Sequence, residues 1–293
     1  MRGIFTIILL VTFASMQAQK VNFLTLSKYR VSTLADVLRE NSGLTFYDGK
    51  LYTLNDGGNT ADIFVIDPFT GKVETIINSP LGNTDWEAIA TDSTYLYIGD
   101  FGNNAGSRTD LKLLKMPHDK SQAADSTKTI GFYYPEQTDF RSRLHNNDFD
   151  AEAMIFLNAN LHIFTKGWTS GSTTHYIVDP AFYEGQAAQK VSRYKTGFLV
   201  TDAAYYNKRL YLVGYTKKAE VFLSIFTESR PGIFFNKEPQ KYYLGTAFSV
   251  GQVEGVEVND QGIYISSEAF RTPLGVVKQG LYFVPHSKIK AGK

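Results

Sequence analysis

Eight residues spread along this chain are of the types that metal-assisted ester chemistry uses. Glu87, Glu152, Asp202 and Glu254 each stand at or next to the start of a short alternating apolar run, and Glu268 stands at the end of one. Lys166, Lys217 and Arg271 lie at or just beyond the ends of similar runs. Carboxylates are hard oxygen donors. With no cysteine in the chain and only scattered histidines, they suit Ca²⁺ or Mg²⁺ better than zinc, and Ca²⁺ is the expected cofactor. Lysine and arginine beside such an ion suit the neutralisation of charge developing on an anionic substrate. The same glutamates could instead accept backbone N–H bonds and hold a sheet together, and the residue types alone leave both readings open.

Elements that would bring these residues together follow from a repeat. The stretch Gly251 to Glu268 reads as a β-hairpin with its turn at Asn259–Gly262 and an acid at each open end. Four earlier stretches share that layout, starting at Ser42, Glu87, Glu152 and Thr201. In all five, the last counted from Glu254, the first position precedes the Leu or Ile of the second strand by nine residues. The units are 45, 65, 49 and 53 residues apart, which is the period of four-stranded propeller blades. The fold class is therefore all-β, a β-propeller of five four-stranded blades, with six as the alternative if the long second interval hides a degenerate blade. Blade five lacks an outer strand of its own. Val21 to Leu26 is the expected replacement, closing the ring and covering a sheet edge, with a short helix over Ser32 to Arg39.

In a propeller the start of each inner strand and the end of each second strand reach one face. That face should collect Ser42, Glu87, Glu152, Asp202 and Glu254, together with Asp56, Asp100, Lys166, Tyr215 and Glu268. Asp85 and Asp150, two residues before Glu87 and Glu152, should share their side if the strands begin that early. His145 and Trp168 fall in loops of the same face, whereas Trp86 follows the packing pattern of an inner strand. The triplets Asp56-Gly57-Gly58 and Asp100-Phe101-Gly102 also read as tight turns. There is no G-x-S-x-G elbow, P-loop or zinc-protease helix.

Residues 1–18 read as a secretory signal, with Arg2, an apolar run from Ile4 to Phe13 and a small-residue exit. Residues 19–293 are then a single propeller domain, secreted to the periplasm or the exterior. The absence of cysteine excludes disulfides and thiolate metal sites. A formal net charge of +1 gives no reason to expect nucleic acid as a partner, and no membrane insertion is expected. A small anionic ligand or glycan is the expected partner, and a monomer the expected state.

GQVEGVEV followed by GIYISSE resembles the part of secreted β-propeller phytases where a Glu-Gly pair precedes a strand and an acid ends the next. The resemblance implies that Glu254 and Glu268 help bind catalytic calcium ions that hold substrate phosphate. DWEAIA…LYIGDFGNN, FDAEAM…FTK and VTDAAYY…LVGY are similar to a wider branch of secreted propellers related to the phytase-like and SdiA-regulated groups. The Asp-rich calcium motif that phytases carry near the mature N-terminus is absent, and phytases have six blades. The function expected is a Ca²⁺-dependent hydrolase of a phosphoester, a lactone or a related ester. The alternative is a non-catalytic ligand- or protein-binding propeller of the cell envelope.

Overall fold

The computed structural model describes residues 20–118, 126–273 and 275–290; the expected signal segment 1–18 lies outside them. Five four-stranded antiparallel units run from an inner to an outer strand. Blade one is Asn41–Tyr47, Lys50–Asn55, Asp62–Ile66 and Val73–Asn78. Blade two is Trp86–Thr91, Tyr95–Asp100, Lys112–Pro117 and Lys128–Tyr133. Blade three is Ala151–Leu157, Asn160–Thr165, Thr173–Val178 and Gln189–Tyr194. Blade four is Leu199–Tyr206, Arg209–Tyr215, Glu220–Thr227 and Gln240–Thr246. Blade five takes Gln252–Val258, Gly262–Glu268 and Gly280–Pro285 from the C-terminal part and Arg30–Thr33 as its outer strand.

The alternating pattern forms these sheets because each blade buries both faces against its neighbours. Five apolar clusters result, one at each blade interface. Trp86 and Ile98 of blade two pack on Leu54 and Ile63 of blade one. Leu44 and Phe64 of blade one meet Tyr264 and Leu281 of blade five, which closes the circle. Trp86 is fully buried there, in the packing role its strand pattern implies. Each such side chain contributes roughly 1.5–3 kcal/mol on burial. In blades one, three and four the inner and second strands are joined by tight turns whose residues Asp48–Gly49, Asn158–Ala159 and Asn207–Lys208 have positive φ. That is the conformation whose twist matches a hairpin.

Ring closure uses a later segment than the sequence pattern indicates. Val21–Phe23 does not complete blade five; it pairs in parallel with Gln240–Thr246 as a fifth strand of blade four. Leu24 and Leu26 then plunge into the core between blades four and five. A single 3-10 turn, Leu26–Tyr29, redirects the chain, and Arg30–Thr33 pairs with Gly280–Pro285. The Arg30 guanidinium donates to the Tyr282 hydroxyl (2.9 Å) and the Lys278 carbonyl (3.2 Å). The expected helix over Ser32–Arg39 is an extended strand end followed by one 3-10 turn, Asp36–Leu38. Gln186–Ala187 likewise adds a fifth strand to blade two, and the long second interval holds no sixth blade among the described residues.

Candidate functional site

Every inner strand carries a β-bulge near its start. The unpaired residue is Glu87 in blade two, Glu152 in blade three, Thr201 in blade four and Glu254 in blade five; in blade one the irregularity spans Gly43 and Leu44. A bulge re-aims a side chain out of the alternating pattern. The inner strands adjoin one another around the ring, so three bulged glutamates reach one funnel of about 350 Å³. Asp56 and Glu268, from the ends of second strands, line it too, as do Lys166, Trp168, Tyr215 and His145.

Hydroxyl groups at the same level bind the blades together instead. Ser42 Oγ donates to the Glu87 carbonyl (2.8 Å), and Thr201 Oγ1 donates to the Val253 carbonyl (2.7 Å). Thr201, not Asp202, is thus the blade-four counterpart of the glutamates. The bulge turns Asp202 away from the funnel and into the ring, where it is fully buried. Its Oδ2 accepts the N–H groups of Val256 (2.7 Å) and Leu44 (3.1 Å), tying blade four to blades five and one. Asp202→Ala is expected to orphan both amides and to cost about 2–3 kcal/mol, read as a fall in thermal midpoint.

Lys166 follows the second strand of blade three and is only 4% exposed. Its ammonium donates to Glu152 at 2.5 Å and lies 5.0 Å from the Trp168 ring and 5.2 Å from the Tyr215 ring. Burial alone would lower this lysine. Glu152, Tyr215, Glu254 and Asp150 outweigh that and hold it well above its ordinary value. Trp168 is positioned on both sides: its indole N–H donates to Asp150 (2.7 Å), and its ring stacks on His145 at 3.9 Å. Lys217 stands exposed at the rim, 5.9 Å from the same ring. Arg271 is outside the funnel. It lines a neighbouring groove of about 690 Å³ with Arg39 and Lys278, which shares only Gln252 and Glu268 with the funnel.

Electrostatically the funnel is acidic. Burial pushes Asp56 up to about 7, with Glu40 and Asp85 adding repulsion. Glu254 is also pushed up to about 7 by burial, although Lys166 and the Gln252 amide favour its charged form. Asp85 rises to about 6, chiefly by burial and then by the field of Asp150. Glu87 and Glu268 are raised well above the carboxylate range by burial, each with a glutamate neighbour as the next cause. Gln252 Nε2 bridges Glu254 (2.6 Å) and Glu268 (2.5 Å). The donors are all hard oxygens, the chemistry Ca²⁺ takes. Among the described residues no three acidic or imidazole side chains stand close enough to ligate one ion, so a cation would draw at least one glutamate round its side-chain bonds.

Sequence reasoning found Glu87, Glu152, Glu254, Glu268 and Lys166, and the structure brings these five to one cavity. Gln252 was missed; its only signal is its place two residues before Glu254 on the same side of the strand.

No protein-family profile matches the chain, and no curated protein matches it. Solved structures similar to it are propeller-type proteins. A luciferin-regenerating enzyme shares 11% identity over 83% of this chain and 75% of its own, with a TM-score of 0.43. A putative 6-phosphogluconolactonase from Bacteroides uniformis shares 11% identity over 87% and 74%, with a TM-score of 0.39. A putative oxidoreductase (glucose dehydrogenase) from Thermus thermophilus shares 11% identity over 86% and 99%, with a TM-score of 0.47. The functional reading therefore rests on this chain's own residues.

Proposed function

We propose that the funnel is the active site of a secreted, Ca²⁺-dependent hydrolase acting on a small phosphoester or related ester. The observation that carries this reading is the crowding of five carboxylates around one cavity with a single buried lysine among them. Like charges so placed are unfavourable unless a proton or a cation joins them. The two positions matched to the phytase-like motif, Glu254 and Glu268, line that same cavity, in keeping with a place in the phytase-like branch. Secretion rests on the N-terminal pattern of Arg2, the apolar run Ile4 to Phe13 and the small-residue exit.

When bound, Ca²⁺ would polarise a substrate oxygen and orient water. The remaining work falls to the protein. The Lys166 ammonium, fixed by Glu152 and flanked by Trp168 and Tyr215, neutralises negative charge appearing on the substrate oxygens. Asp56 and Glu254, both titrating near 7, can give or take a proton at neutral pH. Lys217 at the rim draws an anion inward.

The test is a panel of nitrophenyl phosphate mono- and diesters, carboxylic esters and lactones, assayed with Ca²⁺ and with chelator. Turnover lost on chelation, and reduced at least about 100-fold by Glu254→Gln, is the expected result. Turnover indifferent to chelator, or none across the panel, overturns it. The Lys166–Glu152 pair, which already neutralises one acid, favours a second reading: a binding propeller that holds an anionic ligand or glycan without turning it over. Ligand binding without hydrolysis would establish that alternative.

A further inference from the structure

We propose that the seat of a Ca²⁺ ion in the funnel wall is the gap between Asp85 and Glu87, at the junction of blades one and two, and that Asp85 is a ligand. This rests on the reading of the funnel as a cation site, and it moves the ion off the channel axis.

The three bulged glutamates are not equivalent. Glu152 is taken by Lys166, and Glu254 accepts from Gln252. Glu87 is 6% exposed and lines the cavity, yet its carboxylate has no hydrogen bond or ion pair among the described residues. A buried carboxylate without a donor is costly, which marks this wall as the place where something is missing. The Asp85 carboxylate is likewise without a hydrogen-bond donor among the described residues, although its main chain is held by Asp100 and Gly102. The Arg108 guanidinium, whose charge acts on Asp85, is engaged: it donates to Asp100, to Asp110 and to the Gly102 carbonyl.

Two glycines show how closely the acids approach. A methyl group placed on Gly102 would sit 2.4 Å from Asp85 Oδ2 and 2.7 Å from Glu87 Oε1. One placed on Gly57 would sit 2.1 Å from Asp85 Oδ1. Both oxygens press on the same side of Gly102, and the two distances to one point put them no more than about 5.1 Å apart, a separation that a Ca²⁺ ion set clear of the glycine backbone, with bonds of about 2.3–2.6 Å, can bridge. Neither glycine is in the left-handed region, so a turn does not require it there. Any side chain would fill the space that Asp85 occupies. The Asp-Gly-Gly and Asp-Phe-Gly triplets of blades one and two therefore act as clearance for the acid between them.

Calorimetric Ca²⁺ titration of the full protein tests the seat. Asp85→Asn, Glu87→Gln and Gly102→Ala are each expected to weaken binding at least tenfold. Glu74→Gln, which changes an exposed acid on the outer strand of blade one, should stay within threefold of the unaltered protein. A thermal melt shows whether Gly102→Ala folds; Asp85→Asn, nearly the same shape, decides the matter if it does not. If the unaltered protein binds Ca²⁺ and Asp85→Asn binds it equally well, this seat is wrong while the cation-dependent reading stands. If the unaltered protein binds no Ca²⁺ at millimolar concentration, both fall.

Discussion

Lys166→Met is expected to lower unfolding stability by about 3–5 kcal/mol at pH 8, the cost of leaving one partner of a buried ion pair alone. Glu152 is 2% exposed and Lys166 4% exposed, so water cannot take the place of the lost ammonium. The loss should shrink towards pH 5. Burial already raises the Glu152 carboxyl well above its usual range, and without Lys166 it takes up a proton and becomes neutral. Lys166→Met combined with Glu152→Gln should recover most of the stability, since both charges go together. Chemical denaturation at the two pH values measures all three. A single variant costing under about 1 kcal/mol at pH 8 would show that the pair is not a buried charge pair. Turnover should fall about 100- to 1,000-fold in both variants, because neither keeps the lysine ammonium beside the reacting oxygens.

The second large effect is a fall in stability as pH rises. Asp56 and Glu254 titrate near 7 in the fold and Asp85 near 6, against about 4 for such groups in an unfolded chain. A carboxyl that titrates higher in the fold binds its proton more tightly there than in the unfolded state. Its contribution is therefore greatest below pH 4 and is lost as pH climbs to about 7. Allowing for partial solvent screening of Asp56 and Asp85, the three together should remove on the order of 4 kcal/mol between pH 4.5 and pH 8 in metal-free protein. Ca²⁺ at 100 times its dissociation constant should restore about 2.7 kcal/mol at pH 8, and much less at pH 5, where the ligands hold protons. Thermal midpoints with Ca²⁺ and with chelator across this range provide the measurement. A chelated protein equally stable at pH 5 and pH 8 would mean that the funnel acids are not held at raised values.

The propeller was legible because its signal is local. An offset of nine residues from blade start to second strand, repeated five times, reflects one hairpin geometry used five times, and hairpins depend on near neighbours. The pole to which the acids go was legible for the same reason, since the up-and-down order of strands fixes which ends share a face. Glu87, Glu152, Glu254, Glu268 and Lys166 all arrive there.

What the chain could not show in one dimension was anything set by a contact between blades. Asp202 looks like the fourth acid of the series, but the bulge falls on Thr201, and one residue of offset reverses the side chain's direction. Asp202 thus becomes an acceptor for the amides of two other blades. Val21–Phe23 has the pattern of a closing strand, yet the pockets that accept Leu24 and Leu26 carry it to blade four and leave Arg30–Thr33 to close the ring. The partners of the acids were hidden too. Lys166 pairs with Glu152, Gln252 bridges Glu254 and Glu268, and Gly102 makes room for Asp85 beside Glu87. The sequence by itself determined the repeat, the ring and the face that gathers charge, because those follow from strand periodicity. Tertiary structure alone decided which acids are satisfied and which stand without a partner, because that depends on where each bulge aims its side chain and on which polar group it then meets, inside its own blade for Glu152 and Glu254 and across a blade boundary for Asp202.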